Sequence, residues 1–124
     1  MVLHESVLRP AIGDRGIMAG QLNHLAEVNA QLENVSVRVI PFVNGLHAGI
    51  VSSQFVMMHF PTNGDGRPSE PTTVYVEGFI GALYLEKPEE VERYEAVFTS
   101  MWNSALNEAE STSFLNQVAE DFNK

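Results

Sequence analysis

Three stretches of this sequence repeat their apolar residues at helical spacing, and the region between the first two repeats them in twos or is broken by Gly and Pro. That order constrains the fold more than any other feature. From Ile17 to Leu32 the positions Ile17/Met18, Leu22, Leu25, Val28/Asn29 and Leu32 follow the i, i+3, i+4 rhythm of a one-sided helix. Its opposite face, Asn23, Glu27, Ala30 and Gln31, reads as solvated. Asp14, in the loop Gly13-Asp14-Arg15-Gly16, is placed to cap the helix, and Asn34 to end it. A second helix follows Lys87-Pro88-Glu89-Glu90, which sets Pro at the first helical position and acids where the helix dipole favours them. Val91, Tyr94, Val97/Phe98, Met101/Trp102 and Ala105/Leu106 give it a wide apolar stripe. Asn107 and Glu110 then form a capping-box pattern for a last helix that turns Phe114/Leu115, Val118/Ala119 and Phe122 inward.

Between these lie strands. Met1 to His4 reads as the tail of one, with Glu5 to Arg9 a short helical turn ended by Pro10. Val35, Val37 and Val39 alternate with Ser36 and Arg38 in a half-buried strand that stops at Pro41. Phe55 to Phe60 is a second strand, closed by Pro61, and Thr62 to Thr72 is the longest loop. Thr73 to Glu77 is a third strand and Phe79 to Leu85 reads as a fourth rather than a helix, the two joined by a hairpin turn or a short helical bend near Gly78 to Gly81. The expected class is α+β: a small, mostly antiparallel sheet of three to five strands packed against an N-terminal helix and two C-terminal helices. Three broad helix faces over so few strands also predict that a further element, or a second copy, completes the core.

At 124 residues the chain is expected to be a single domain able to bury a core without staples. The absence of Cys removes disulfides, thiolate catalysis and Cys-ligated zinc or iron–sulfur sites, and fits a cytoplasmic protein. No run approaches the ~18 apolar residues of a membrane span, and no secretory signal stands at the start. The net charge of -9 argues against gripping a phosphate backbone, which takes clustered Lys and Arg. Residues 1–62 carry four acids against three bases, Arg9, Arg15 and Arg38; residues 63–124 carry twelve acids against four bases. The acid excess thus falls where helices are predicted, as a solvated face.

No phosphate-binding glycine loop, nucleophile elbow or paired-histidine metal motif is present. His24 and His59 fall inside a predicted helix and strand and read as structural. His47 lies in the Gly-rich loop Asn44 to Gly49 just past a strand end, where binding residues concentrate, although an ordinary surface histidine has the same signature. Glu77 closes an apolar strand; if Val74 and Val76 face the core, Tyr75 and Glu77 share the other face. A carboxylate beside a Tyr hydroxyl suits a cation, an amine or a partner's Arg, and a solvent-facing Glu at a strand end is the plainer alternative. Glu5 is a similar lone acid at the close of the first strand. Acid/base work by Glu5 and Glu77 would need the two within roughly 5–10 Å. With no nucleophile placed beside a base, no enzyme is expected. The aromatics Tyr75, Phe79, Tyr84, Tyr94, Phe98 and Trp102 read first as core, and otherwise as a lined pocket.

The segments ESVLRPAIG, MAGQLNHLAEV, VSVRVIPFVNGLHAGI, VYVEGFIGALYLEKPEEVERYEAVF and the helix opening NEAES occur in this order over Val2 to Phe122. Together they closely resemble the C-terminal domain of unknown function attached to Xre-family helix-turn-helix regulators of actinobacteria. The most specific parts are VIPFxxGxHxG at 39–49 and YVEGxxGxLYLExPEEVxRYxxxF at 75–98. A departure is Asp14-Arg15-Gly16, where relatives usually carry a proline. The resemblance implies that residues 1–124 are a single regulatory domain, the C-terminal part of a longer regulator whose DNA-reading helix-turn-helix lies upstream. It implies a sensing module that binds a small partner protein or a small-molecule effector, needs no cofactor or metal, and does not contact DNA itself. Matching motif positions are Glu5, Pro41, Phe42, Gly45, His47, Glu77, Gly78, Tyr84, Glu86 and Tyr94. The candidate binding residues are Glu5, Phe42, His47, Tyr75, Glu77 and Tyr84. The competing readings are a homodimerisation module without a ligand, for which a homodimer is expected in any case, and a small hydrolase or transferase using Glu77 with His47 or Tyr75.

Overall fold

The computed structural model describes residues 1–10, 13–44, 54–67, 69–78 and 80–124. The chain runs β1 (Val2–His4), a 3-10 turn (Glu5–Val7), α1 (Arg15–Gln31), β2 (Arg38–Ile40), a second 3-10 turn (Phe42–Asn44), β3 (Phe55–Met58), β4 (Thr73–Glu77), β5 (Ala82–Leu85), α2 (Pro88–Ser104) and α3 (Glu108–Phe122). This is the α+β order read from the sequence, with one helix before the antiparallel strands and two after them. The strands are divided between two small sheets, a parallel pair β1–β2 and an antiparallel β3–β4–β5. The chain forms two compact units, Met1–Leu46 with Met101–Lys124, and His47–Ser100, so that α2 runs across their boundary.

In the first unit β1, α1 and β2 make a β-α-β crossover, with Val2 opposite Arg38 and His4 opposite Ile40. Gly13, at φ +79, turns the chain into Asp14, whose carboxylate accepts the Ile17 N–H at 2.7 Å and caps α1 as expected. α3 begins with the predicted capping box between Asn107 and Glu110. The two helices pack antiparallel: Arg15, at the start of α1, donates to the carbonyls of Asp121 and Phe122 at the end of α3, each at 3.0 Å. Met18, Ala19, Leu22 and Ala26 of α1 meet Leu115, Val118, Ala119 and Phe122 of α3, with Val37 and Val39 completing the core. Ile17 and Leu32, read as inward, are 64% and 48% exposed. Ile17 stands one residue, about 100°, round the helix from Met18, and Leu32 lies past the last turn with extended dihedrals.

Arg38 donates its backbone N–H to the Met1 carbonyl, so the neighbouring residues Val37 and Val39 turn their backbone groups to the other edge of β2. Among the described residues no further strand meets that edge. Side chains and a linker amide cover it. Asn29 of α1 accepts from the Val37 N–H at 2.7 Å and donates to its carbonyl at 2.9 Å. Ser111 of α3 accepts from the Val39 N–H at 3.0 Å, and the Leu106 N–H donates to the Val39 carbonyl at 2.9 Å. A row of backbone groups that would otherwise invite another chain is thereby closed.

In the second unit β4 is central, with Met57–Val74–Leu85 and Phe55–Val76–Leu83 in register across the sheet. Val74 and Val76 are buried with Val91 of α2, against Phe55, Met57, Leu85 and Tyr94. Val91 alone of the α2 stripe is fully buried, and the rest is half-exposed. Among the described residues no helix is long and apolar enough to cross a membrane.

Candidate functional site

Glu5 and Phe42 meet where the parallel pair ends. Glu5 is buried, and both carboxylate oxygens are engaged: one accepts the Phe42 N–H at 2.9 Å, the other the Arg9 Nε at 3.0 Å. Arg9 also donates to Asp121 of α3 at 2.7 Å, which raises the Arg9 pKa and lowers that of Asp121. The His4 ring caps the 3-10 turn by accepting the Ser6 N–H, and it packs edge-on against Phe42 at 5.4 Å. Glu5 therefore pins the chain after β2 to the turn after β1. It is an internal tie with no free oxygen to offer a ligand, although Phe42 remains half-exposed beside it.

A second polar cluster joins β2 to the start of α3. Arg38 Nε donates to Glu108 at 3.0 Å, and its guanidinium lies 3.9 Å from the Trp102 ring centre. Ser36 donates to the same carboxylate. Those two partners, Ser36 first, hold the Glu108 carboxyl down to about 2. Arg9, Arg15 and Arg38, the bases of residues 1–62, thus all bind α3 or its approach. Two of the acids read as a solvated face, Glu108 and Asp121, are their partners.

The remaining candidates gather on the second unit. Gly78 N–H donates to the Gly81 carbonyl at 2.9 Å, which makes 78 and 81 a hydrogen-bonded pair. The antiparallel ladder then alternates, so Glu77–Ala82 and Tyr75–Tyr84 are non-hydrogen-bonded pairs, the closer kind. Tyr75 and Tyr84 accordingly touch, with ring centres 5.2 Å apart and planes tilted 57°. Val56 of β3 stands on the other side of Tyr75. Strand alternation puts Val56, Tyr75, Tyr84, Glu77 and Ala82 on the face turned away from Val74 and Val76, as the sequence predicted for Tyr75 and Glu77. Tyr84 is 68% exposed and Val56 55%, and Ile80 at the hairpin tip is 99% exposed. Tyr84, Val56 and Glu77 therefore stand open to solvent around the half-buried Tyr75. Opposite Glu77 stands the small Ala82, two residues from Tyr84 on the same face.

Of the six candidates, Tyr75, Glu77 and Tyr84 come together on this face, Glu5 and Phe42 come together in the other unit, and His47 lies outside the described residues. Among the described residues no three His, Asp or Glu side chains gather as a metal site. His24 and His59 are exposed, not core. The sequence sets Asn29 on the inward face of α1 but gives no sign of its pairing with the β2 edge, and Ser111, the other buried polar group there, is missed altogether. Val56 is missed as well, although the alternation of Phe55 and Met57 around it carries that signal.

A family model described as a domain of unknown function, DUF5753, matches residues 1–117. Neither a curated protein nor a solved structure matches the chain.

Proposed function

We propose, from the premise that this chain belongs to the DUF5753 family, that it is the sensing module of a helix-turn-helix transcriptional regulator. It binds a partner protein or effector and leaves DNA to a separate domain. The observation that carries this reading is the grouping of the exposed Tyr84, Val56 and Glu77 around the half-buried Tyr75. Exposed aromatic and aliphatic side chains grouped with one charge are a recognition surface, because burying them on a partner releases water at little entropic cost to the rigid sheet. The Xre-family context comes from the motif resemblance. The reading that this chain leaves DNA to another domain is supported by a net charge of -9 and by the engagement of Arg9, Arg15 and Arg38 with α3. Deleting the gene is expected to change the transcript levels of a defined set of genes. The purified chain is expected to leave the fluorescence anisotropy of genomic duplexes unchanged at moderate salt. An unchanged transcript profile would contradict the regulatory role, and sequence-specific binding by the chain alone would contradict the division of labour.

A homodimerisation module is the second reading, favoured by the half-exposed apolar stripe of α2. Sedimentation as a stable monomer at micromolar concentration would rule it out.

A further inference from the structure

We propose that the outer face of the β3–β4–β5 sheet takes an extended, arginine-bearing segment of a partner protein, laid along β5 with the guanidinium reaching over the small Ala82 to Glu77. This rests on the reading of the chain as a binding module and specifies what it binds.

Three observations lead there. β5 is an edge strand among the described residues. The ladder that pairs Leu83 and Leu85 with β4 turns the backbone groups of Ala82 and Tyr84 outward. Ala82–Leu85 carries no charge and no Pro, the usual guards of an edge. A chain in extended form therefore finds an open ladder, and main-chain pairing of this kind takes alternate side chains to one face.

The face then selects the side chains. The residue placed beside Ala82 meets Glu77 and the edge of Tyr84. The residue two positions away meets Tyr84, with Tyr75 one strand further in. The first position suits a planar cation, since a guanidinium stacks on a tyrosine ring while pairing with a carboxylate, and an ammonium does so less well. The second suits an aliphatic side chain.

Charge decides between a foreign segment and a second copy. The unit His47–Ser100 holds eight carboxylates against three bases, so a second copy brings like charge to the same edge. A basic segment brings the opposite charge.

The test is a chemical-shift titration of the 15N-labelled chain with an acetylated octapeptide that alternates Thr and Val, one Val being replaced by Arg. A matched peptide carries Glu in that place. The Arg peptide is expected to shift the amides of Glu77, Ala82 and Tyr84, and the Glu peptide to bind at least about tenfold more weakly. Glu77→Lys is expected to weaken the Arg peptide by a similar factor, with the circular-dichroism spectrum unchanged, because Glu77 is exposed. Tyr84→Ser serves as the second variant. Equal binding of both peptides, shifts confined to other residues, or no shift would overturn the proposal. So would concentration-dependent shifts at Ala82 and Tyr84 without any peptide, which would assign the edge to a second copy. Those outcomes leave the regulatory reading to the transcript measurement, which does not depend on the peptide.

Discussion

The side-chain amide of Asn29 pairs with the backbone of Val37 as a neighbouring strand would, accepting its N–H at 2.7 Å and donating to its carbonyl at 2.9 Å. The same amide nitrogen lies 3.1 Å from the Glu108 carbonyl and 3.1 Å from Thr112 Oγ1. One buried side chain therefore holds α1, β2 and α3 together. Asn29→Leu keeps the branched shape, though not the volume, and leaves the Val37 groups without partners in an apolar core. We expect a loss of about 3 kcal/mol, read as a lower urea midpoint at unchanged slope. A loss below about 0.5 kcal/mol would show that the pairing adds little net stability.

Glu5 makes a comparable tie, and its strength lies in charge. Glu5→Gln keeps the shape but weakens the bonds to the Phe42 N–H and to Arg9, for an expected loss of about 1–2 kcal/mol. Glu5→Ala is expected to cost more, because it also leaves the Phe42 N–H unpaired. If both variants unfold at the wild-type urea concentration, the tie between the two strand ends is unimportant to the fold.

The helices were legible because their apolar spacing is regular and their caps, Asp14 and Asn107, are local signals. The inward face of α1 was only partly legible. Met18, Leu22 and Asn29 fall on the packed face as their spacing predicts, Ile17 and Leu32 do not, and the small Ala19 and Ala26, which let α3 approach, carry no apolar signal strong enough to mark them. The parallel pairing of β1 with β2 leaves no sequence trace, since three residues alternate the same way whichever strand they join. Tyr75 and Glu77 are legible because alternation fixes a face, whereas Tyr84 is carried by the motif resemblance. That Tyr84 lies opposite Tyr75 depends on the pairing of Gly78 with Gly81, a register the sequence does not fix. Glu5 looked like Glu77 in sequence, each a lone acid after a strand, and only tertiary partners separate an engaged carboxylate from an open one.

Glu108 gives the chain an acid dependence of known sign. Its folded carboxyl titrates near 2, below the ordinary 4.5, so the contacts with Ser36 and Arg38 stabilise the fold above the ordinary value and are lost as pH falls towards 2. In denaturant melts at a series of pH values, the stability gap between wild type and Glu108→Gln is expected to be level above about pH 5 and to close between there and pH 2. A gap that stays constant to pH 2 would show that the carboxylate is not held in this way.

Trp102 is the chain's one tryptophan and so reports on its own contact. The Arg38 guanidinium lies 3.9 Å from its ring centre and binds Glu108 at the same time. Arg38→Ala is expected to change the native emission spectrum and to destabilise by about 1–2 kcal/mol through the lost stack and ion pair. Arg38→Lys should restore only part of either, because an ammonium cannot lie flat on the ring and fork to a carboxylate. Native emission identical in all three proteins would contradict the stacked geometry.

The central claim is that the chain acts in regulation through the open face of its antiparallel sheet. Transcript levels in cells carrying Tyr84→Ser in the chromosomal gene test it most directly, with the protein's abundance checked by immunoblot. The account predicts that this exposed substitution, at unchanged abundance, reproduces the transcript changes of the gene deletion. A wild-type profile in the Tyr84→Ser cells, alongside an altered profile in the deletion, would contradict it.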